Sequence, residues 1–200
     1  MYTVGIDEVG RGAVAGPVVV GAVCLGGMDA QVLVAELLRE ARLRRLADSK
    51  QMTRLQRERA FAFLEERIPW AVGSAEALEI DAMGISPALR LAAGRALDGI
   101  RAKGLMLARV EADASLFHPY EKELPTNRTV KGDETILEIT LASIMAKVWR
   151  DRLMAGLALE HPGYGWERNA GYGTGQHQRA IQLSGLTRQH RKLFVRKLAA

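Results

Sequence analysis

The chain has 200 residues, a length that fits a single domain over residues 1–200, and its 48% hydrophobic and 26% charged residues are typical of a globular protein rather than a disordered one. No apolar run reaches the length of a membrane span and no secretory signal opens the chain, so we expect a cytoplasmic protein without a membrane partner. The net charge of +5 favours a polyanionic partner such as nucleic acid, and the one cysteine, Cys24, excludes an internal disulfide.

The N-terminal segment predicts a strand that ends at a functional site. Residues 2–6 alternate between apolar and small or polar side chains, and Asp7 and Glu8 follow directly. The next triplet, Gly10-Arg11-Gly12, combines an accessible backbone with a guanidinium that suits a phosphate. Carboxylates beside such a loop imply a metal ion, because bare carboxylates would repel a phosphodiester. A solvated turn is the alternative, but the apolar continuation into a second strand at about 18–23 favours a site.

The following hundred residues carry mostly structural signals. Residues 31–46 fit a helix or an irregular connector, and Thr53 and Gln56 indicate a capping box for a helix over 53–68. A strand is expected over 70–78. The acids of Glu79-Ile80-Asp81 are expected in a turn, before a helix that Ser86-Pro87 opens and that runs to about residue 102.

Two further acids come from the second half of the chain. Alternation over 105–112 predicts a strand that ends at Asp113, with Glu111 on the same face as a rival ligand. A loop over 115–128 follows. Asp133 precedes a long helix over 135–160, where it is either a ligand or an acid that stabilises the helix dipole. Lys147 of that helix is either an extended surface lysine or a side chain near the site.

The C-terminal part combines a glycine-rich connector with short segments that are predicted to be helical. The connector over 163–175 carries Tyr172, which is either a lid over the core or a stacking platform for a sugar or base; a basic protein favours the platform. Residues 179–200 show two short helical patterns with a basic surface.

Taken together, these motifs resemble type 2 ribonuclease H, and in particular the bacterial ribonuclease HII family. The opening run Gly5-Ile6-Asp7-Glu8-Val9-Gly10-Arg11-Gly12 carries the resemblance most specifically. Further matches follow in the family's order: Asp48-Ser49-Lys50, Val130-Lys131-Gly132-Asp133, Ala142-Ser143-Ile144, Arg150-Asp151-Arg152, Gly171-Tyr172-Gly173-Thr174 and His190-Arg191. They span almost the whole chain.

The resemblance implies an α/β protein of ribonuclease H-like fold, with a mixed central sheet flanked by helices and a helical C-terminal part. It implies an endoribonuclease that cuts the RNA strand of RNA:DNA hybrids and incises on the 5′ side of single ribonucleotides embedded in duplex DNA. The products would carry a 3′-hydroxyl and a 5′-phosphate. A monomer is expected.

The resemblance also assigns roles to individual residues. The family's catalytic carboxylates match Asp7, Glu8, Asp113 and Asp133. Oxygen-only ligands point to two Mg²⁺ or Mn²⁺ ions rather than zinc. The positions that would bind substrate are Gly10, Arg11, Gly12, Ser49, Lys50, Lys147 and Tyr172. For Asp48-Ser49-Lys50, capping of the next helix is an alternative to phosphate binding.

Three departures from the family pattern bear on substrate contacts. They are Ala114-Ser115 after the third acid, Glu138 at a position that is usually small or hydroxylic, and Trp149 in place of a smaller residue. Two other functions are compatible with the same fold. One is a nucleic-acid-binding module without turnover, and the other is a DNA nuclease or strand-transfer enzyme.

Overall fold

The computed structural model describes residues 1–46, 49 and 51–196. The strands are β1 (Tyr2–Val9), β2 (Val18–Cys24), β3 (Trp70–Ala75), β4 (Leu107–Asp113) and β5 (Thr126–Thr129). The helices are α1 (Ala30–Glu40), α2 (Arg54–Glu65), α3 (Ala77–Met83), α4 (Ile85–Arg101), α5 (Gly132–Thr135), α6 (Leu137–Glu160), α7 (Trp166–Asn169), α8 (Gly175–Ser184) and α9 (Lys192–Val195).

The strands form one mixed sheet in the order β3-β2-β1-β4-β5. The pairs β1–β2 and β2–β3 are antiparallel, and the pairs β1–β4 and β4–β5 are parallel. The α/β fold with a mixed sheet and flanking helices is therefore confirmed.

Helices cover both faces of this sheet. Helix α4 packs on the face that carries Val4 and Ile6, both fully buried, while α1, α2 and α6 share a second core that includes Leu141 and Ala142. Because successive side chains of a strand point to opposite faces, Gly5 and Asp7 face α6. The helix lies close to the strands there: a Cβ on Gly5 would be 2.2 Å from the backbone carbon of Glu138.

A third, smaller core lies beyond the sheet, under the glycine-rich connector. It comprises Ala15, Met154, Tyr164, Trp166 and Ala170. The expected short helices of the C-terminal part are α8 and α9. None of the helices in the described ranges combines the length and the apolar character that a transmembrane segment requires.

The segment after β3 differs from the prediction. The strand ends at Ala75 rather than residue 78, and Glu79-Ile80-Asp81 lies in helix α3 rather than in a turn. A capping box between Glu76 and Glu79 starts this helix, and glutamate at its first position departs from the serine or threonine that the pattern usually has there. Ser86-Pro87 does not open α4 either, because Gly84, with φ of 83°, precedes its first residue, Ile85.

Two other boundaries were wrong or incomplete. The predicted loop over 115–128 runs into β5, a four-residue polar strand that has no apolar alternation to reveal it. The long helix is preceded by a separate turn of helix, α5, and the two are divided by Ile136 in an extended conformation. The capping box of Thr53 and Gln56 at the start of α2 is confirmed.

Candidate metal centre and active site

The acids arrive at the carboxyl ends of three neighbouring parallel strands. Asp7 and Glu8 are near the end of β1, and Asp113 is the last residue of β4. In the register of β1 and β4, Ile6 lies opposite Ala112. The next residues, Asp7 and Asp113, therefore lie side by side at the end of these strands. Asp133 follows β5 in helix α5. Sequence positions more than a hundred residues apart therefore meet at one edge of the sheet.

Three of the four predicted carboxylates form a compact group. One carboxylate oxygen from each of Asp7, Glu8 and Asp113 lies within 4.8 Å of the others. Asp133 is not in this group, but it lines the same open cavity of about 380 Å³. Glu111, the rival of Asp113, instead accepts a hydrogen bond of 3.0 Å from Asn127 Nδ2.

Asp7 is held in surroundings that oppose its ionisation. Its side chain is buried, and desolvation is the main cause that raises its pKa to about 7. The negative charges of Glu8 and Asp133 raise the pKa further, while a side-chain hydrogen bond with Ser143 acts in the opposite direction. Asp7 and Asp133 are thus close enough to interact electrostatically.

Glu8 is also partly buried and lies near another negative charge. Desolvation raises its pKa, the positive charge of Arg11 lowers it, and the charge of Asp113 raises it. Its Oε1 lies 3.5 Å from Arg11 Nη1. Its Oε2 is buried and has no hydrogen-bond partner among the residues that the structure describes.

These observations fit a divalent cation. Buried carboxylates that repel one another and leave an oxygen atom unpaired are costly without a compensating positive charge. A bound cation would lower the pKa of Asp7 and give Glu8 Oε2 a partner. The donors are oxygen atoms alone, the set that Mg²⁺ and Mn²⁺ prefer.

The Gly10-Arg11-Gly12 loop stands beside this centre. Gly10 has φ of 81°, and a Cβ there would lie 2.2 Å from Arg150 Nε, so only glycine fits. Arg11 Nη1 donates to Ser115 Oγ at 2.7 Å, which ties the loop to the segment after β4. At Gly12 an added Cβ would meet open space. Here a ligand can approach the backbone.

Tyr172 belongs to a second loop that is bonded to the first. The backbone N–H of Val14 donates to the Gly171 carbonyl at 2.8 Å, and the ring of Tyr172 lies 5.8 Å from Arg150 Cζ. Tyr172 is 37% exposed, so it is accessible and is not a lid closed over the core.

Two further predicted substrate residues, Ser49 and Lys147, do not line the acid cavity. Ser49 is buried, and its Oγ lies 2.9 Å from Ser143 Oγ, a geometry that favours support of the site over direct phosphate contact. Lys147 pairs with Asp151 at 2.8 Å and lines a separate basic cavity with Arg54 and Arg168. Lys50 lies outside the described residues.

Several residues at the site were not singled out from the sequence. Ser143 appeared in the sequence only within the match Ala142-Ser143-Ile144. A buried hydroxyl in the apolar middle of α6 needs a polar partner, but the sequence does not indicate that this partner is Asp7. Lys131 also lines the acid cavity, in a left-handed conformation with φ of 56°. Such a conformation is uncommon for a lysine.

The residues that depart from the family pattern have distinct places. Ala114 and Ser115 line the acid cavity. Glu138 contributes backbone to the close contact with Gly5, and Trp149 packs against the second core. Only the first departure is therefore at the cavity.

Comparison with known proteins decides the family. The sequence model described as Ribonuclease HII matches residues 4–197. The chain belongs to the ribonuclease HII family. It is 42% identical to the ribonuclease HII of Paracoccus denitrificans over 194 residues, which is 97% of this chain and 85% of that protein. It is also 42% identical to that of Ruegeria pomeroyi over 191 residues, or 95% and 74% of the two chains.

Solved structures of ribonucleases of this kind share the fold. A ribonuclease HII from Archaeoglobus fulgidus, solved with PCNA, superposes with a TM-score of 0.75 at 22% identity, covering 99% of this chain and 95% of that one. Bst-RNase HIII in complex with Mn²⁺ gives 0.74 at 18% identity, with coverage of 100% and 70%. The ribonuclease H-like fold implied by the sequence motifs is confirmed, while the roles of individual site residues stay predictions.

Proposed function

We propose that this ribonuclease HII chain is a metal-dependent endoribonuclease that cuts the RNA strand of RNA:DNA hybrids and incises on the 5′ side of single ribonucleotides embedded in duplex DNA. The observation that carries the proposal is the group formed by Asp7, Glu8 and Asp113, with Asp133 in the same cavity. We infer that residues 1–200 act as one catalytic domain. A contact between the two ends of the chain supports this, since Arg191 donates to the Arg11 carbonyl at 3.1 Å.

The four acids would hold two divalent ions, Mg²⁺ or Mn²⁺. When bound, the ions supply the positive charge and the activated water that hydrolysis of a phosphodiester requires. The chain's own contribution is to keep the carboxylates close together on the rigid ends of β1 and β4. Ser143, which bonds with Asp7, would fix the orientation of that carboxylate.

Recognition of ribose would come from the Gly10-Arg11-Gly12 loop. A 2′-hydroxyl distinguishes RNA from DNA at a given nucleotide, and backbone groups near Gly12 are open to it. The exposed ring of Tyr172 would pack on the sugar of the following deoxyribonucleotide. A duplex with one ribonucleotide would then contact both the Gly10-Arg11-Gly12 loop and Tyr172 only when its ribose lies beside the acids. The cut would therefore fall on the 5′ side of that ribonucleotide.

Binding of the duplex would extend to the second, basic cavity. Arg54, Arg57, Lys147 and Arg168 line it, and the acids Asp151 and Glu167 neutralise only part of their charge. Lys147 lies one helical turn from Ser143, at a distance of about 6 Å along the axis. A phosphate close to the scissile one would reach it.

The direct test is cleavage of a duplex that contains one ribonucleotide, with Mg²⁺ or Mn²⁺. We expect the wild type to cut it with a 3′-hydroxyl upstream and a 5′-phosphate on the ribonucleotide, and Asp7→Asn to bind it without cutting. A wild type that binds but does not cut would indicate a binding module. Cutting of an all-DNA duplex would indicate a DNA nuclease and would remove the role of the 2′-hydroxyl.

A further inference from the structure

The two elements proposed to read the sugars are far apart in the chain, yet a third segment contacts both. This segment, residues 187–191, precedes α9 and runs alongside the loop that follows β1. The backbone N–H of Gly16 donates to the Gln189 carbonyl at 2.8 Å, and Ala15 forms an isolated bridge with His190.

Arg191 donates hydrogen bonds to the backbone of the Gly10-Arg11-Gly12 loop and of the segment that follows it. Its Nε donates to the Gly16 carbonyl at 2.8 Å and its Nη1 to the Arg11 carbonyl at 3.1 Å. Its own backbone N–H donates to the Val14 carbonyl at 2.8 Å. The side chain is fully buried. A guanidinium fork can bridge two carbonyls at once, whereas a lysine ammonium is a single point on a flexible stem.

His190 reaches toward Tyr172 through a second histidine. The Nδ1 of His190 accepts from the Thr187 N–H at 2.9 Å, so the ring proton of neutral His190 is on Nε2, which faces His177 Nε2 at 3.2 Å. Trp166 Nε1 also donates to His177 Nε2, at 2.9 Å.

The proton of His177 is therefore on Nδ1. That nitrogen donates to the Tyr172 carbonyl at 2.9 Å. Each hydrogen bond in this series has a fixed donor and a fixed acceptor, because the first donor is a backbone N–H and the last acceptor is a carbonyl. A continuous set of hydrogen bonds thus runs from Thr187 to the backbone of Tyr172.

We propose that the adjacent residues His190 and Arg191 form a positioning unit that sets the spacing between the Gly10-Arg11-Gly12 loop and Tyr172. The unit thereby determines how strongly the enzyme prefers an embedded ribonucleotide. The inference rests on the proposed function. A duplex with a single ribonucleotide can contact both the loop and the ring of Tyr172 in one register only, so an error in the spacing between them slows its cleavage. A uniform RNA:DNA hybrid offers a 2′-hydroxyl in every register and tolerates such an error better.

The test compares kcat/KM for a duplex with one ribonucleotide and for a uniform hybrid. Arg191→Lys retains the charge but loses one of the two bridged carbonyls. His190→Asn retains an acceptor near Thr187 but cannot reach His177, whereas His190→Gln places a donor near the position of Nε2. We expect Arg191→Lys and His190→Asn to lower the ratio of the two kcat/KM values about tenfold or more, and His190→Gln to restore most of it.

A matched control separates positioning from stability. Ile100→Ala removes buried contacts from α4, in the core on the face opposite α6, and touches neither loop. At an equal distance below the melting temperature of each variant, we expect Ile100→Ala to keep the wild-type ratio. Equal losses on both substrates in Arg191→Lys and His190→Asn would overturn the positioning unit. Failure of the proposed function would look different, as a wild type that cuts neither duplex, and would overturn both proposals.

A second measurement does not depend on the variants folding. Nitrogen-15 NMR of histidine-labelled wild-type protein at neutral pH distinguishes the two neutral ring tautomers. We expect His177 with its proton on Nδ1 and His190 with its proton on Nε2. The opposite tautomer at His177 would break the link to Tyr172 and overturn the inference.

Discussion

Asp7 shows how a metal site can work against the stability of the protein that carries it. Folding buries this carboxyl group near Glu8 and Asp133, and its pKa rises from 3.8 to about 7. Because the folded-state pKa is the higher one, folding favours the neutral form. The contribution to stability is complete below the unfolded pKa and is lost as the pH rises through the folded pKa.

Asp7→Asn should therefore stabilise the metal-free protein in a pH-dependent way. The amide has about the same shape but no charge to desolvate, so we expect its advantage over wild type to grow by about 2 to 3 kcal/mol between pH 5 and pH 8. Urea denaturation in the presence of a chelator measures this difference. Saturating Mn²⁺ should reduce or reverse it at pH 8. An advantage that is equal at both pH values would contradict the described surroundings of Asp7.

Tyr172 is the residue whose role is most easily separated from binding. Its ring is exposed and stands over Arg150, so removal should leave the fold in place. We expect Tyr172→Ala to lower kcat for a duplex with one ribonucleotide about tenfold or more, and to change the dissociation constant much less, since the ring positions the sugar.

Cleavage by Tyr172→Ala is measured under single-turnover conditions. The dissociation constant for the duplex is measured with the same substitution in an Asp7→Asn background, which is expected to bind the duplex without cutting it. Tyr120→Ala is the matched control, because Tyr120 bonds Asp98 on another part of the surface. Equal losses in cleavage and in binding would count against a positioning role for Tyr172.

At the scale of elements, helix α6 connects the sheet to the candidate active site. It lies against β1 and β2 with little space to spare, since a Cβ on Gly21 would be 2.5 Å from the Ala142 carbonyl oxygen. Ser143, the next residue, bonds with Asp7. Any shift of the helix away from the sheet would thus move a partner of the Asp7 carboxylate.

We expect Gly21→Ala to cost about 1 to 3 kcal/mol of unfolding free energy and to lower kcat as well, because the helix must move to admit the methyl group. Gly156→Ala is the matched control. Gly156 is in the same helix with nothing within 4 Å of an added Cβ, so alanine should gain about 0.5 to 1 kcal/mol and leave kcat unchanged. Thermal and urea denaturation, with kcat, check both. A Gly21→Ala variant as stable as wild type would contradict the tight packing of α6.

The elements also show what sequence could predict. Alternation revealed β1 and β4, and specific motifs pointed to Asp7, Glu8 and Asp113 before any contact between them was known. The sequence could not reveal β5, whose four residues are polar, or the helical state of Glu79-Ile80-Asp81, which depends on the Glu76 cap. Nor could it show the contact of Ser143 with Asp7. That contact exists only because α6 packs across β1.

At the scale of the whole molecule, charge is distributed unevenly. The chain carries a net charge of +5 although acids line its central cavity, so basic residues dominate elsewhere. Arg54 and Arg168 are exposed in the second cavity, where their side chains are accessible to a phosphate backbone. Affinity for a duplex should therefore fall steeply with salt.

We expect the double variant Arg54→Ala with Arg168→Ala to reduce the slope of log affinity against log salt by about 1 to 2, as expected for the loss of one or two phosphate contacts. Binding to an all-DNA duplex by the Asp7→Asn form, titrated with NaCl, gives the slope. Arg188→Ala, which removes an exposed arginine near Glu160, is the control and should change it less. An unchanged slope in the double variant would exclude this cavity from the binding surface.

The most direct measurement is a crystal of the protein soaked with Mn²⁺, in which anomalous scattering locates the ions. We expect Mn²⁺ bound to carboxylate oxygens of Asp7, Glu8 and Asp113, with Asp133 as a ligand of at least one ion. Ions that bind elsewhere, or a cavity that binds Mn²⁺ without Asp7, would contradict this expectation.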